Sequence, residues 1–87
     1  MIYNIDDVIR FKNGEYLVLD IIKYKENTYL YLINNSEYEN DTSIVKVVFE
    51  NNQMKYESIK NDEIFDYVIN KIFVNFKEEI VTIINNV

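Results

Sequence analysis

The side chains best suited to acid–base or ligand chemistry in this chain are carboxylates and phenols. Two carboxylates stand together at Asp6-Asp7, three alternate in Glu37-x-Glu39-x-Asp41, and eight tyrosines are spread over 87 residues. Paired carboxylates divide acid and base roles only when both reach one substrate. Neighbours on a strand point to opposite faces, so Asp6 and Asp7 are expected to cap the loop before a first strand instead. Glu37, Glu39 and Asp41 have the alternating oxygen spacing of a calcium loop. An EF-hand would then need Gly at 42 and Glu at 48, where this chain has Thr42 and Val48. The segment reads as a solvated acidic loop. No catalytic set, metal site or cofactor site is expected.

The missing residue types narrow the chemistry further. Without His or Cys there is no Ser-His-Asp or Cys-His nucleophile, no zinc finger and no iron–sulfur ligation. A single Gly excludes a Walker loop and a dinucleotide-binding turn. The protein is expected not to be an enzyme.

Charge points to a class of partner. Fifteen acids against nine bases give a net charge of −6. Residues 1–35 and 67–87 are nearly balanced, whereas 36–66 hold eight acids and three lysines. An acidic surface repels phosphate backbones, so direct nucleic-acid binding is not expected and a basic protein surface is the natural counterpart. Tyr16, Tyr24, Tyr29 and Tyr31 are assigned to one sheet face. That face has two readings: a packing surface for the tail, or, with Glu37, Tyr38, Glu39 and Asp41, the contact surface for a protein partner. Base stacking on such rings normally comes with surrounding Lys and Arg, and the chain has one Arg.

The elements that must position these groups are short strands followed by one helix. Asn13-Gly14, Glu26-Asn27 and Asn51-Asn52 are read as hairpin turns. The first turn sets Phe11 opposite Tyr16 and Ile9 opposite Val18, with Arg10 near Leu17. The second sets Tyr24 opposite Tyr29 and Ile22 opposite Tyr31. The third sets Lys46 opposite Glu57, with Val45, Val47, Phe49, Met54 and Tyr56 on a buried face. Alternation then gathers Ile9, Phe11, Tyr16, Val18, Ile22, Tyr24, Tyr29, Tyr31 and Ile33 on one side of the sheet. The other side carries Val8, Leu17, Leu19, Ile21, Leu30 and Leu32. Both sides are apolar, so both are expected to be covered. Asp20 interrupts the aromatic side and marks a bulge or an edge.

From residue 61 the period changes. Phe65, Val68, Ile69, Ile72, Phe73, Phe76, Ile80, Ile83 and Ile84 recur at helical steps, with Asn61 or Asp62 as the cap. A helix over 62–85 would be about 36 Å long and would overhang strands of roughly 17–27 Å, or break near Val74-Asn75. The β-branched run 80–84 leaves a final strand open. Tyr67, Val74 and Val81 repeat every seven residues off the main stripe and have two readings: scattered surface apolar residues, or a seam for a second copy or a partner.

The fold expected is α+β in one domain over 1–87. Residues 1–60 form a five-stranded antiparallel meander, or SH3-like curled sheet, and 61–87 form a C-terminal helix. The N-terminus lacks the basic start and apolar core of a signal peptide, no apolar run approaches a membrane span, and there is no Cys. A cytoplasmic protein that meets no membrane is expected.

The stretch Asp7-Val8-Ile9-Arg10-Phe11-Lys12-Asn13-Gly14-Glu15-Tyr16-Leu17-Val18-Leu19, followed by Tyr29-Leu30-Tyr31-Leu32-Ile33, resembles many small uncharacterised β-rich proteins of AT-rich bacteria and their phages. Ile, Asn, Lys and Tyr, all with AT-rich codons, supply 43 of the 87 residues. The resemblance implies a small sheet or barrel with a C-terminal helix and carries over no activity or site residue. Its context suggests an inhibitor of the anti-defence, immunity or antitoxin type. The function expected is therefore non-enzymatic protein binding, an acidic surface covering a basic site. The alternative is a self-assembling structural or accessory protein, a homodimer joined through the helix.

Overall fold

A computed structural model describes residues 3–35 and 41–85, with the helix side chains described as far as Glu78. Five strands are followed by one helix: β1 (Val8–Phe11), β2 (Gly14–Tyr24), β3 (Asn27–Asn34), β4 (Thr42–Glu50), β5 (Gln53–Ser58) and α1 (Asp62–Asn85). The strands form one antiparallel sheet in sequence order, curled into a half-barrel. The expected α+β meander with a C-terminal helix is the fold observed.

The hairpin turns show what alternation can and cannot fix. Asn51 and Asn52 occupy the third turn at φ 53° and 60°, and Lys46 lies opposite Glu57 as expected. The other two registers differ from expectation by two residues. The first turn sits on Lys12-Asn13, with Gly14 following at φ 137°, so Phe11 faces Gly14, Ile9 faces Tyr16, and Arg10 faces Glu15 rather than Leu17. The glycine supplies its positive φ just after the turn instead of within it. The second turn sits on Lys25-Glu26, at φ 48° and 68°, and sets Ile22 opposite Tyr29 and Tyr24 opposite Asn27. A slip of two leaves every side chain on its original face, so hydrophobic alternation cannot distinguish these registers.

A β-bulge alters the faces themselves. Val18 pairs with Leu32, but Asp20 pairs with Tyr31, leaving Leu19 as an extra residue in β2. One extra residue reverses the sense of alternation along the strand. The single aromatic face expected from sequence is therefore split in two. Tyr16 and Val18 join Ile9, Phe11, Ile21, Leu30 and Leu32 on one side, while Ile22, Tyr24 and Tyr29 lie on the other. Asp20 stabilises the irregularity: its Oδ1 accepts the Ile21 N–H at 2.8 Å, and its Oδ2 accepts the Asn75 amide at 3.1 Å.

Each face has its own core. Inside the curl, Val18, Leu30 and Leu32 are buried among Tyr3, Phe11, Tyr16, Val45, Val47 and Tyr56. Tyr56 on β5 meets Phe11 on β1 edge to face, with ring centroids 5.1 Å apart, although these strands lie at opposite ends of the sheet. Aromatic contact closes the half-barrel where no ladder does. Phe49, expected on the buried face, is 62% exposed because it sits at the hairpin end, beyond the curl. On the outer face, Ile22, Tyr29 and Val68 form a second core with Tyr24, Ile44, Ile59, Ile64, Tyr67 and Ile72. Both sides of the sheet are thus covered, as their shared apolarity requires.

The helix is continuous over 62–85, with no break at Val74-Asn75 and no final strand at 80–84. Asn61 caps it, its Oδ1 accepting the Ile64 N–H at 3.1 Å, and Asp62 and Glu63 lie in the first turn where the dipole favours acids. The apolar stripe resolves into two. Ile64, Tyr67, Val68 and Ile72 pack on the sheet, whereas Phe65, Phe73 and Phe76 face outward. The molecule is elongated, measuring 48 Å along its longest axis. The radius of gyration, 14.1 Å, exceeds the roughly 12 Å of a compact chain of this length.

Candidate functional site

The four tyrosines proposed from sequence as partner contacts do not share one face, since Tyr16 packs in one core and Tyr24 and Tyr29 in the other. Tyr29 is 1% exposed and belongs to the core under the helix, so it cannot meet a partner in this fold. Tyr24 is half-buried and stacks on Tyr67, with centroids 4.0 Å and planes 23° apart. Lys25 Nζ lies 5.2 Å from the Tyr24 ring centroid. Tyr16 is half-buried in the other core and meets Phe11 edge to face at 5.3 Å. Tyr31 is half-buried on the helix side, opposite Asp20 and Ile44. The packing reading of these rings therefore describes Tyr24 and Tyr29, and the bulge removes Tyr16 from their company. Asp41 is exposed, with its carbonyl accepting the Asn34 N–H at 2.9 Å. Glu37, Tyr38 and Glu39 lie outside the described residues.

The heptad seam is also divided. Tyr67 faces its own sheet, since its ring covers Tyr24, and is removed from any contact between copies. Val74 is 46% exposed. Val81 lies beyond the described side chains.

Carboxylates cluster at the joint between β5 and α1. Glu57, Asp62, Glu63 and Asp66 are all exposed within ten residues, and Lys60 is the one base among them. This acidity adjoins a helix whose outer face carries Phe65, Phe73 and Phe76 at 36%, 64% and 59% exposure. In the sequence these rings fall in the same helical stripe as Val68 and Ile72, which pack on the sheet. Separating the sheet face from the outer face required knowing which side of the helix meets Tyr24 and Tyr29.

Elsewhere the chemistry is modest. Asp7 closes the N-terminal loop as expected, its Oδ2 accepting the Asn4 N–H at 2.8 Å. Arg10 and Glu15 form an exposed ion pair at 3.1 Å, of the kind that contributes little. A groove lined in part by Tyr3, Glu26, Lys46, Val47, Phe49 and Met54 opens at the hairpin end of β4 and β5. The Tyr3 and Tyr56 hydroxyls are 2.8 Å apart, and burial, followed by that hydrogen bond, pushes the Tyr3 phenol well above its usual range. A phenol held protonated donates a hydrogen bond but does not attack a substrate. No described helix is long and apolar enough to cross a membrane.

The architecture defines a class: a small antiparallel half-barrel braced by one C-terminal helix. Compared with protein-family models, curated proteins and solved structures, the chain shows no significant match.

Proposed function

We propose that this protein is a non-enzymatic binding module, a small acidic inhibitor of the anti-defence, immunity or antitoxin type that covers a basic site on a protein target. The observation that carries the reading is the exposed acidic joint of Glu57, Asp62, Glu63 and Asp66 in a chain of net charge −6. Like-signed carboxylates on a rigid strand–helix corner steer a basic partner into place and repel nucleic acid. The tyrosines are packing residues in this scheme, so the acids take the leading role in recognition. A cysteine-free composition suits a reducing compartment, and we assign the module to the cytoplasm.

The test is capture of the tagged protein from its host cells under gentle conditions, followed by native mass spectrometry and titration of the purified complex against salt. A stoichiometric protein partner is expected, with affinity that falls as salt rises. Reversing Glu57 and Glu63 to Lys should weaken the complex at least about tenfold, as for charged contacts at an interface. Affinity unaffected by both salt and charge reversal would overturn the reading.

A further inference from the structure

The helix carries two apolar faces of different length. The sheet-facing one runs through Ile64, Tyr67, Val68 and Ile72 and stops. The next residues along it are Asn75, whose amide donates to Asp20, and Glu78. The second face is Phe65, Ile69, Phe73 and Phe76, spaced by four, four and three residues and so aligned along one side. It lies roughly 130° around the helix from the first at 3.6 residues per turn. Scattered exposed apolar side chains are ordinary on a protein surface. Three phenylalanines in register on one helix, two of them more than half exposed, mark a contact surface.

We infer that this face pairs with the same face of a second copy, α1 against α1, running antiparallel. The charges beside the rings select both occupant and direction. Asp66 and Lys77 lie on the same flank of the phenylalanine face, three turns apart, and both are exposed. A two-fold axis between residues 71 and 72 sets Asp66 of each copy beside Lys77 of the other, twice over. A parallel pair has its two-fold axis along the helices and would put this flank of the two copies on opposite sides of the contact, leaving Asp66 and Lys77 without each other across it. Antiparallel alignment also opposes the two helix dipoles.

Area and space agree with this occupant. The exposed parts of the three rings come to about 300 Å² per copy, taking roughly 200 Å² for a whole phenylalanine. That is more than a third of the roughly 800 Å² each partner contributes to a stable interface, before Ile69 and the flanking stems are added. Phe73 and Phe76 lie on the side of the helix turned away from the sheet, where a second helix can run alongside. The seam is therefore the phenylalanine face, not the line of Tyr67, Val74 and Val81. It takes Asp66 from the acidic joint but leaves Glu57, on β5, outside the contact, and it rests on the phenylalanines rather than on the partner proposal above.

Sedimentation equilibrium on the whole purified chain tests the inference. A mass of twice 10.5 kDa is expected at micromolar concentration. The Phe73→Glu, Phe76→Glu double variant should be monomeric with unchanged circular dichroism, since both rings lie on the face away from the sheet, and its thermal midpoint should not rise with protein concentration as a dimer's does. A monomeric wild type, or a dimer that survives the double substitution, would overturn it. Direction is read by cysteine cross-linking, for which a chain without native Cys is well suited. Asp66→Cys with Lys77→Cys should give a disulfide-linked dimer under mild oxidation. Asp66→Cys alone should not, because its two copies would lie about 16 Å apart along the axis at 1.5 Å per residue. Efficient cross-linking of the single variant would overturn the antiparallel arrangement.

Discussion

The ring of Tyr24, at the end of β2, lies nearly flat on the ring of Tyr67 in the second turn of α1, with centroids 4.0 Å apart. This contact ties helix to sheet at one end, and the Asn75–Asp20 hydrogen bond ties them near the other. Between these points Val68 is fully buried against Ile22 and Tyr29. The helix is thus held from its second turn to Asn75, and Phe65, Phe73 and Phe76 are exposed because they lie on its side away from the sheet.

If the Tyr24–Tyr67 stack anchors the helix, the two positions must be energetically coupled. Each alanine variant should lose about 2 kcal/mol, as half-buried aromatic side chains do. A double-mutant cycle by urea denaturation should return about 0.5–1.5 kcal/mol of coupling, the usual value for an aromatic pair. Additive losses would show that Tyr67 acts elsewhere.

The bulge makes a sharper prediction. Deleting Leu19 removes the extra residue and leaves a regular ladder in which Val18 still pairs with Leu32 and Asp20 with Tyr31, so Tyr16, Val18 and Ile21 stay on one face and Ile22 and Tyr24 on the other. The deletion should therefore fold cooperatively and keep its near-ultraviolet aromatic signal, at a cost of roughly 1–3 kcal/mol for the altered strand twist. Leu19→Thr, at a position 38% exposed and outside both cores, should cost no more than about 1 kcal/mol. Loss of cooperative unfolding on deletion would mean that Leu19 is more than an extra residue between two correctly phased segments.

Stability at high pH reports on Tyr3. Its phenol is raised above the ordinary value by burial and by the Tyr56 hydroxyl, so the folded chain keeps a proton that the unfolded chain releases near pH 10. This contribution is fully present below about pH 10 and declines as pH rises above it. Tyr3→Phe removes the 2.8 Å hydrogen bond and should cost about 1 kcal/mol at neutral pH. The variant should then lose stability less steeply than the wild type above pH 10. Parallel curves from chemical denaturation across that range would show that Tyr3 has no part in the alkaline loss.

Local chemistry, read along the chain, determined the strands, the cap and the helix of this protein. Asn51-Asn52 accepts positive φ, Asn61 supplies a capping oxygen, and the change of period at residue 61 separates sheet from helix. The uneven charge and the lack of His and Cys are likewise properties of composition alone. What the tertiary structure decided was which face each side chain occupies. Hairpin slips of two residues preserve alternation and so leave no trace in it. One extra residue at Leu19 reverses alternation with no change in residue type, and it sent Tyr16 away from Tyr24 and Tyr29. The same limit applied to the helix, where Phe65 and Val68 are equally apolar and three residues apart. Only the position of the sheet, meeting Val68 and missing Phe65, distinguished a core residue from one left facing solvent. Burial depends on what lies opposite in space, and for this chain the opposing groups are some forty residues away in sequence.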